Sequence, residues 1–206
     1  MLENIKWLFF DVGSTLVDES RVYEKRMRIA AEKAGADYEY VYETAMSFYR
    51  QNKKGDLETF KLLDVEKPKW SFEDELLYSD SEAVLGKLSK SYKIGVIANQ
   101  SLGTAERLGR FGILKYIDLV VASAEEGVAK PDRRIFEIAL ERSGCKPTET
   151  FMIGDRIDND IIPAKMLGMH TIWIKQGFGK YWTITNENEE ADHVVESLTE
   201  ICDLLK

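Results

Sequence analysis

Apolar residues along this chain fall into short unbroken runs separated by longer amphipathic stretches. The first run, Trp7-Leu8-Phe9-Phe10, leads straight into Asp11 and a glycine-containing turn, Val12-Gly13-Ser14-Thr15. It is too short for a helix and lacks polar alternation. That pattern predicts a strand buried on both faces of a parallel sheet. Similar runs predict strands over 92–98, 117–122, 150–155 and 169–174, and a short one over 193–195. The stretches between them carry helical spacing over 79–91, 104–111, 132–143, 157–167 and 198–205. Gly112 and Gly168 serve as stops. Strands alternating with helices of about ten residues predict an α/β fold, a doubly wound parallel sheet.

One interval breaks this rhythm. Residues 19–35 and 38–52 read as two helices, and Leu57, Phe60, Leu62 and Leu63 suggest a third. A fourth is expected after Ser71, with Ser71 as its N-cap and Glu73, Asp74 and Glu75 in its first turn. No strand is expected between residues 18 and 90. The chain therefore divides into a sheet-bearing core, 1–17 with 80–206, and an inserted helical domain, 18–79. The stripe of Tyr38, Val41, Tyr42, Ala45, Phe48 and Tyr49 is expected to be core of that insertion, with one of its tyrosines facing a ligand as the alternative. Arg21, Arg26 and Arg50 are expected on solvated helix faces, with contact to an anionic substrate as the alternative. Residues 177–190 read as an irregular polar segment. Within it, the stretch from Gln176 to Trp182 is a surface loop by default and a cleft wall in the alternative.

Composition changes the picture little. The 206 residues are 44% hydrophobic and 31% charged, enough for a sizeable core. The net charge of −8 argues against nucleic acid or an anionic membrane surface as partner. It leaves small phosphorylated ligands open, since a few local cations and a metal would hold them. Cys145 and Cys202 have no CxxC spacing and read as reduced packing residues. Glu3 and Lys6 interrupt the N-terminal stretch, so no signal peptide is expected there. No run approaches the roughly 20 apolar residues of a membrane span. A cytoplasmic protein is expected, as a monomer or homodimer.

Chemistry gathers at the predicted strand and loop ends: Asp11, Asn99, Lys130, and Asp155 with Asp160. In a parallel sheet those ends converge on one crevice. Carboxylates from different strands suit a hard cation such as Mg2+. A lysine beside them can neutralise a phosphoryl group and a nucleophilic carboxylate together. An aspartate that attacks phosphorus forms an aspartyl-phosphate. The bland alternative for Asp11 is a cap on the following turn.

Four segments in this order resemble the motifs of the haloacid dehalogenase (HAD) superfamily, in particular its members with a helical (C1-type) cap inserted after the first motif. They are Asp11-Val12-Gly13-Ser14-Thr15-Leu16, Ile94-Gly95-Val96-Ile97-Ala98-Asn99, the stretch Gly127-Val128-Ala129-Lys130-Pro131-Asp132, and Gly154-Asp155 followed by Asp160. The resemblance implies a Rossmann-like core and a hydrolase, of phosphatase type, acting on a small phosphorylated metabolite. It implies Asp11 as nucleophile and Mg2+ ligand, with the carbonyl of residue 13 on the metal. It implies Lys130 on the phosphoryl group, Asp155 as a metal ligand, and Asp160 as a ligand through water or as a group orienting Lys130.

Two positions depart from the phosphatase pattern. Gly13 stands where an aspartate protonates the leaving group, and Ala98 stands where a Ser or Thr hydroxyl holds the phosphate. Asn99 keeps a backbone N–H for that phosphate. A missing general acid costs about 10²–10⁴ in rate for a poor leaving group. Aryl and acyl phosphates suffer less. Ser14 and Ser101 are candidates for the lost hydroxyl contact, and an acid or hydroxyl from the cap for the lost proton donor. These departures keep two further readings open: a binding or regulatory protein that retains the metal site, and a hydrolase of carbon–halogen or carbon–phosphorus bonds.

Overall fold

The computed structural model describes residues 4–205. Six parallel strands form the central sheet: β1 (Trp7–Phe10), β4 (Lys93–Ala98), β5 (Leu119–Ala122), β6 (Thr150–Gly154), β7 (His170–Ile174) and β8 (His193–Val195). Their order across the sheet is β5-β4-β1-β6-β7-β8. The chain thus winds outward from β1 in both directions. The crevice at the carboxyl end of β1 is the switch point where open α/β sheets bind ligands.

Alternation along β1 separates two cores. Leu8 and Phe10 pack with Ile94, Val96, Phe151 and Ile153 under two helices, α4 (Ser81–Leu88) and α9 (Leu198–Leu204). Phe9 faces the other way, with Ile97 and Met152, beneath α7 (Arg133–Ser143) and α8 (Ile162–Met166). Both faces are covered, which accounts for the continuous apolar runs in the sequence.

The insertion holds α1 (Ser20–Ala34), α2 (Tyr38–Tyr49) and α3 (Gly55–Leu62). They enclose a separate apolar cluster of Met27, Ala30, Ala31, Val41, Ala45, Met46, Tyr49 and Phe60. Half of the aromatic stripe's expected positions, Val41, Ala45 and Tyr49, are fully within it. The helix expected after Ser71 is not formed. Phe72–Asp74 makes one 3-10 turn, and Leu76–Leu77 is a strand, β3. It pairs antiparallel with β2 (Val17–Asp18). The two crossings between the sheet-bearing part and the helical part are therefore tied to each other. Backbone pairing outcompetes the weak local helix preference of three successive acids.

Two shorter elements also differ from expectation. The helix expected over 157–167 opens with a π-helical turn, Ile157–Ile161, before α8. A further short helix, α6 (Ser123–Glu126), follows β5, and α5 (Thr104–Arg110) lies where a helix is expected. Among the described residues neither Cys145 nor Cys202 forms a disulfide; Cys202 is buried and Cys145 only half-buried. Among the described residues no helix is long and apolar enough to cross a membrane.

Candidate active site

Asp11 is the first residue beyond β1. Its N–H donates to the Ile153 carbonyl at 2.8 Å, which extends the ladder by one residue and fixes the start of the turn. The Val12 carbonyl then accepts from the N–H groups of Thr15, Leu16 and Val17, and Ser14 takes a left-handed φ of 55°. This tight turn aims the Asp11 carboxylate into the crevice while keeping it 9% exposed.

Lys130 meets it there. The ammonium Nζ donates to Asp11 Oδ1 at 2.7 Å, to Asp160 Oδ1 at 2.6 Å and to the Ile97 carbonyl at 2.8 Å. All three donors are used, and the side chain is locked. Burial works to lower the Lys130 pKa, but the Asp11 and Asp160 carboxylates outweigh it and hold it above its ordinary value. The Asn99 side chain clamps the lysine's backbone, accepting from Lys130 N at 2.7 Å and donating to Lys130 O at 2.8 Å.

Asp160 reaches the crevice because of the π-helical turn, a distortion common at functional sites. Its Oδ2 accepts from the N–H of Arg156 at 3.0 Å, so both oxygens are engaged. Gly154 makes room for it. A Cβ at residue 154 would overlap the Asp160 carboxylate and sit 2.7 Å from its Cβ. Burial raises the Asp160 carboxyl to about 6, with Lys130 opposing the rise.

Asp155 differs. Its carbonyl accepts from Trp173 Nε1 at 2.9 Å, but its carboxylate accepts no hydrogen bond among the described residues. Burial, then the charges of Asp11 and Asp160, push its carboxyl well above the usual range. One oxygen each of Asp11, Asp155 and Asp160 lie within 4.8 Å of one another. Of these three buried carboxylates two share the Lys130 ammonium, and the third, Asp155, accepts no hydrogen bond among the described residues. This all-oxygen donor set fits a hard divalent cation.

The crevice opens into a cavity of about 400 Å³. Asp11, Gly13, Ser14, Glu19, Asn99, Ser101, Lys130 and Asp155 line its sheet side, and Arg26, Tyr49, Lys54 and Lys67 its helical side. Ala98 is fully buried in the sheet core and is not among the residues lining this cavity. Ser14 and Ser101 both reach it. Ser101 Oγ accepts from Arg107 Nη1 at 3.2 Å, and Ser14 Oγ donates to Glu19 Oε2 at 3.2 Å.

Arg21 and Arg50 are exposed, as expected. Arg26 is not: it is 2% exposed, paired with Asp56 at 2.7 Å, and its guanidinium lies over Phe60 and Trp70. The stretch after β7 is not a free loop: it packs against the helical part, although none of its residues lines this cavity. Phe178 stacks on Tyr49 at 4.2 Å and meets Tyr23 edge-on at 5.0 Å.

Glu19 was not singled out by sequence, where it reads as an acid opening a helix. Its carboxyl turns inward instead, caps no backbone N–H, and is 7% exposed. Burial, then Asp11 and Glu75, push it up to about 8. The missing second acid at Gly13 is the signal that could have prompted a search for it.

Known proteins match this architecture. A family model described as haloacid dehalogenase-like hydrolase matches residues 5–168. The chain belongs to that family and is a hydrolase of the HAD superfamily. It is 29% identical, over all of this chain and 95% of the relative, to a glyceraldehyde 3-phosphate phosphatase of Pyrococcus furiosus. It is 30% identical to the enzyme of the same name from Pyrococcus abyssi, over 84% of this chain and 82% of that one. Among solved structures, a HAD phosphatase from Thermococcus onnurineus superposes with a TM-score of 0.68 at 25% identity, covering 98% of each chain.

Proposed function

We propose that this hydrolase is a Mg2+-dependent phosphohydrolase of small phosphorylated metabolites, working through an aspartyl-phosphate on Asp11. The observation that carries the reading is the locked Lys130 between Asp11 and Asp160, set beside the unpartnered Asp155 carboxylate. Asp11 presents its free oxygen to phosphorus while Lys130 balances the charge that gathers on the phosphoryl oxygens. Asp160 orients Lys130, since both its oxygens are already engaged. Asn99 holds the lysine's backbone in register and offers its own N–H to the phosphate. Asp11, Asp155 and the carbonyl of Gly13 are the groups that would hold Mg2+, whose charge, when bound, stabilises the phosphoryl group under attack. Arg156, Lys54 and Lys67 add positive charge around the cavity, which suits a phosphorylated anion in a chain that is acidic overall.

Residues 18–79 act as a cap in this reading, closing over the cavity and selecting the substrate. The names of the Pyrococcus relatives support a small phosphorylated metabolite as that substrate, and a cavity of about 400 Å³ suits one. The test is Mg2+-dependent release of inorganic phosphate from a panel of small aryl and alkyl phosphates by wild type and Asp11→Asn. Turnover in the wild type that disappears in the variant is expected. A wild type inert on the whole panel while still binding Mg2+ overturns the reading in favour of a regulatory role.

A further inference from the structure

Gly13 leaves a vacancy that another side chain fills. A Cβ built on Gly13 would overlap Glu19 Oε1 and would lie 2.7 Å from Glu19 Cδ and 2.8 Å from Oε2. The Glu19 carboxyl therefore occupies the volume into which a side chain at residue 13 would project. It gets there from the crossing into the helical part, six residues further along the chain. Gly13 and Glu19 are spatially exclusive: an acid at one position requires its absence from the other.

Three other observations separate this from a helix-capping role. Glu19 precedes α1 but its carboxyl caps no N–H of that helix; the N–H of Ser20 is taken by Asp18 Oδ1 at 2.8 Å. The carboxyl is instead held by Ser14 Oγ on the nucleophile's own turn. The remaining acids lining the cavity are occupied elsewhere. Asp56 is bound to Arg26 and to the Tyr49 hydroxyl, while Asp11 and Asp155 form the carboxylate cluster.

We propose that Glu19 is the proton carrier of this site, replacing from the crossing segment the acid that Gly13 lacks. The inference rests on the phosphohydrolase reading and adds a catalytic residue to it. In the first step Asp11 forms a bond to phosphorus, the bond from phosphorus to the leaving oxygen breaks, and the Glu19 carboxyl proton passes to that oxygen. In the second, water attacks phosphorus, its proton returns to the Glu19 carboxylate, and the bond to Asp11 breaks. The sum is a phosphate ester plus water giving an alcohol plus inorganic phosphate, with Glu19 restored.

The test compares leaving groups. Wild type, Glu19→Gln and Tyr23→Phe are assayed on para-nitrophenyl phosphate, whose leaving group needs little protonation, and on the alkyl phosphate of a panel that the wild type cleaves best. Glu19→Gln is expected to lose about 10²–10⁴ in kcat on the alkyl ester and far less on the aryl ester. The retained aryl turnover shows that the variant is folded. Tyr23→Phe removes the hydroxyl of another residue lining the cavity and is expected to leave the aryl-to-alkyl ratio unchanged. A second variant moves the acid: Gly13→Asp in a Glu19→Ala background is expected to recover part of the alkyl rate that Glu19→Ala alone loses.

An unchanged ratio in Glu19→Gln overturns the proposal, as does a wild type that cleaves the aryl ester but no alkyl ester. In both cases aryl turnover leaves the phosphohydrolase reading standing. A wild type inert on both ester classes overturns that reading and this proposal with it.

Discussion

Lys130 is held by three acceptors inside the protein, two of them carboxylates, and is only 4% exposed. Removing its charge leaves Asp11 and Asp160 buried without their shared cation. Lys130→Met is therefore expected to abolish phosphate release and to lower unfolding stability by about 3–5 kcal/mol in metal-free buffer, measured by denaturant titration. Stability equal to wild type would show that the ammonium does not compensate those carboxylates. Glu75 offers a milder test away from the nucleophile. Its Oε1 accepts from Trp70 Nε1 at 2.7 Å, and burial raises its carboxyl above the ordinary 4.5, against the opposing pull of Trp70 and Arg107. A raised pKa means that the folded state favours the protonated form. That contribution is complete below pH 4.5 and is lost as pH rises through the folded value. Glu75→Gln keeps the acceptor and is expected to raise the melting temperature at neutral pH, with the gain vanishing below pH 4.5. Asp11, Lys130, Asp155 and Asp160 were legible in the sequence because each sits at a fixed offset from a strand end or turn. Glu19 was not, because an acid at the start of a helix is ordinary and only the fold brings it against Gly13.

At the scale of elements, the π-helical turn Ile157–Ile161 decides where Asp160 points. It depends on Gly154, whose missing side chain admits the Asp160 carboxylate. Gly154→Ala is expected to push Asp160 off Lys130 and to reduce kcat by about 10² or more, since displacements near 1 Å are that costly. Unchanged kcat would mean that the carboxylate relaxes without leaving the lysine. The long apolar strands were readable because burial on both faces erases their polar alternation. The strands β2 and β3 were not, since two residues carry no period. Leu76–Leu77 is paired by Val17–Asp18, a partner nearly sixty residues away that local pattern does not reveal. Arg26 was misplaced for a similar reason: its burial depends on Asp56, Phe60 and Trp70, which come from later parts of the insertion.

The molecule as a whole places a helical layer against the carboxyl edge of a parallel sheet. Besides the β2–β3 ribbon, side-chain contacts join them, and Arg107 lies over the Phe72 ring at 4.5 Å. Asn52 exchanges hydrogen bonds with the backbone of Thr183, at 2.8 and 2.9 Å, and Phe178 packs on Tyr23 and Tyr49. Phe178→Ala removes two aromatic pairs and is expected to speed amide exchange in α2 about tenfold while leaving the sheet unaffected. Exchange unchanged in α2 would show that Phe178 does not hold the layers together. The doubly wound parallel sheet and the alternation of helices followed from sequence, whereas the strand order and these contacts did not; the Asn52 and Phe178 contacts depend on where the loop after β7 lands.

The central claim is that Asp11 carries the phosphoryl group during turnover. The direct measurement is acid quenching of the protein during steady-state hydrolysis of para-nitrophenyl phosphate with Mg2+, followed by peptide mass spectrometry. A phosphoryl adduct mapped to Asp11 in the wild type, and absent from Asp11→Asn along with turnover, is the predicted result. An adduct on another residue, or phosphate release by Asp11→Asn at the wild-type rate, would contradict it.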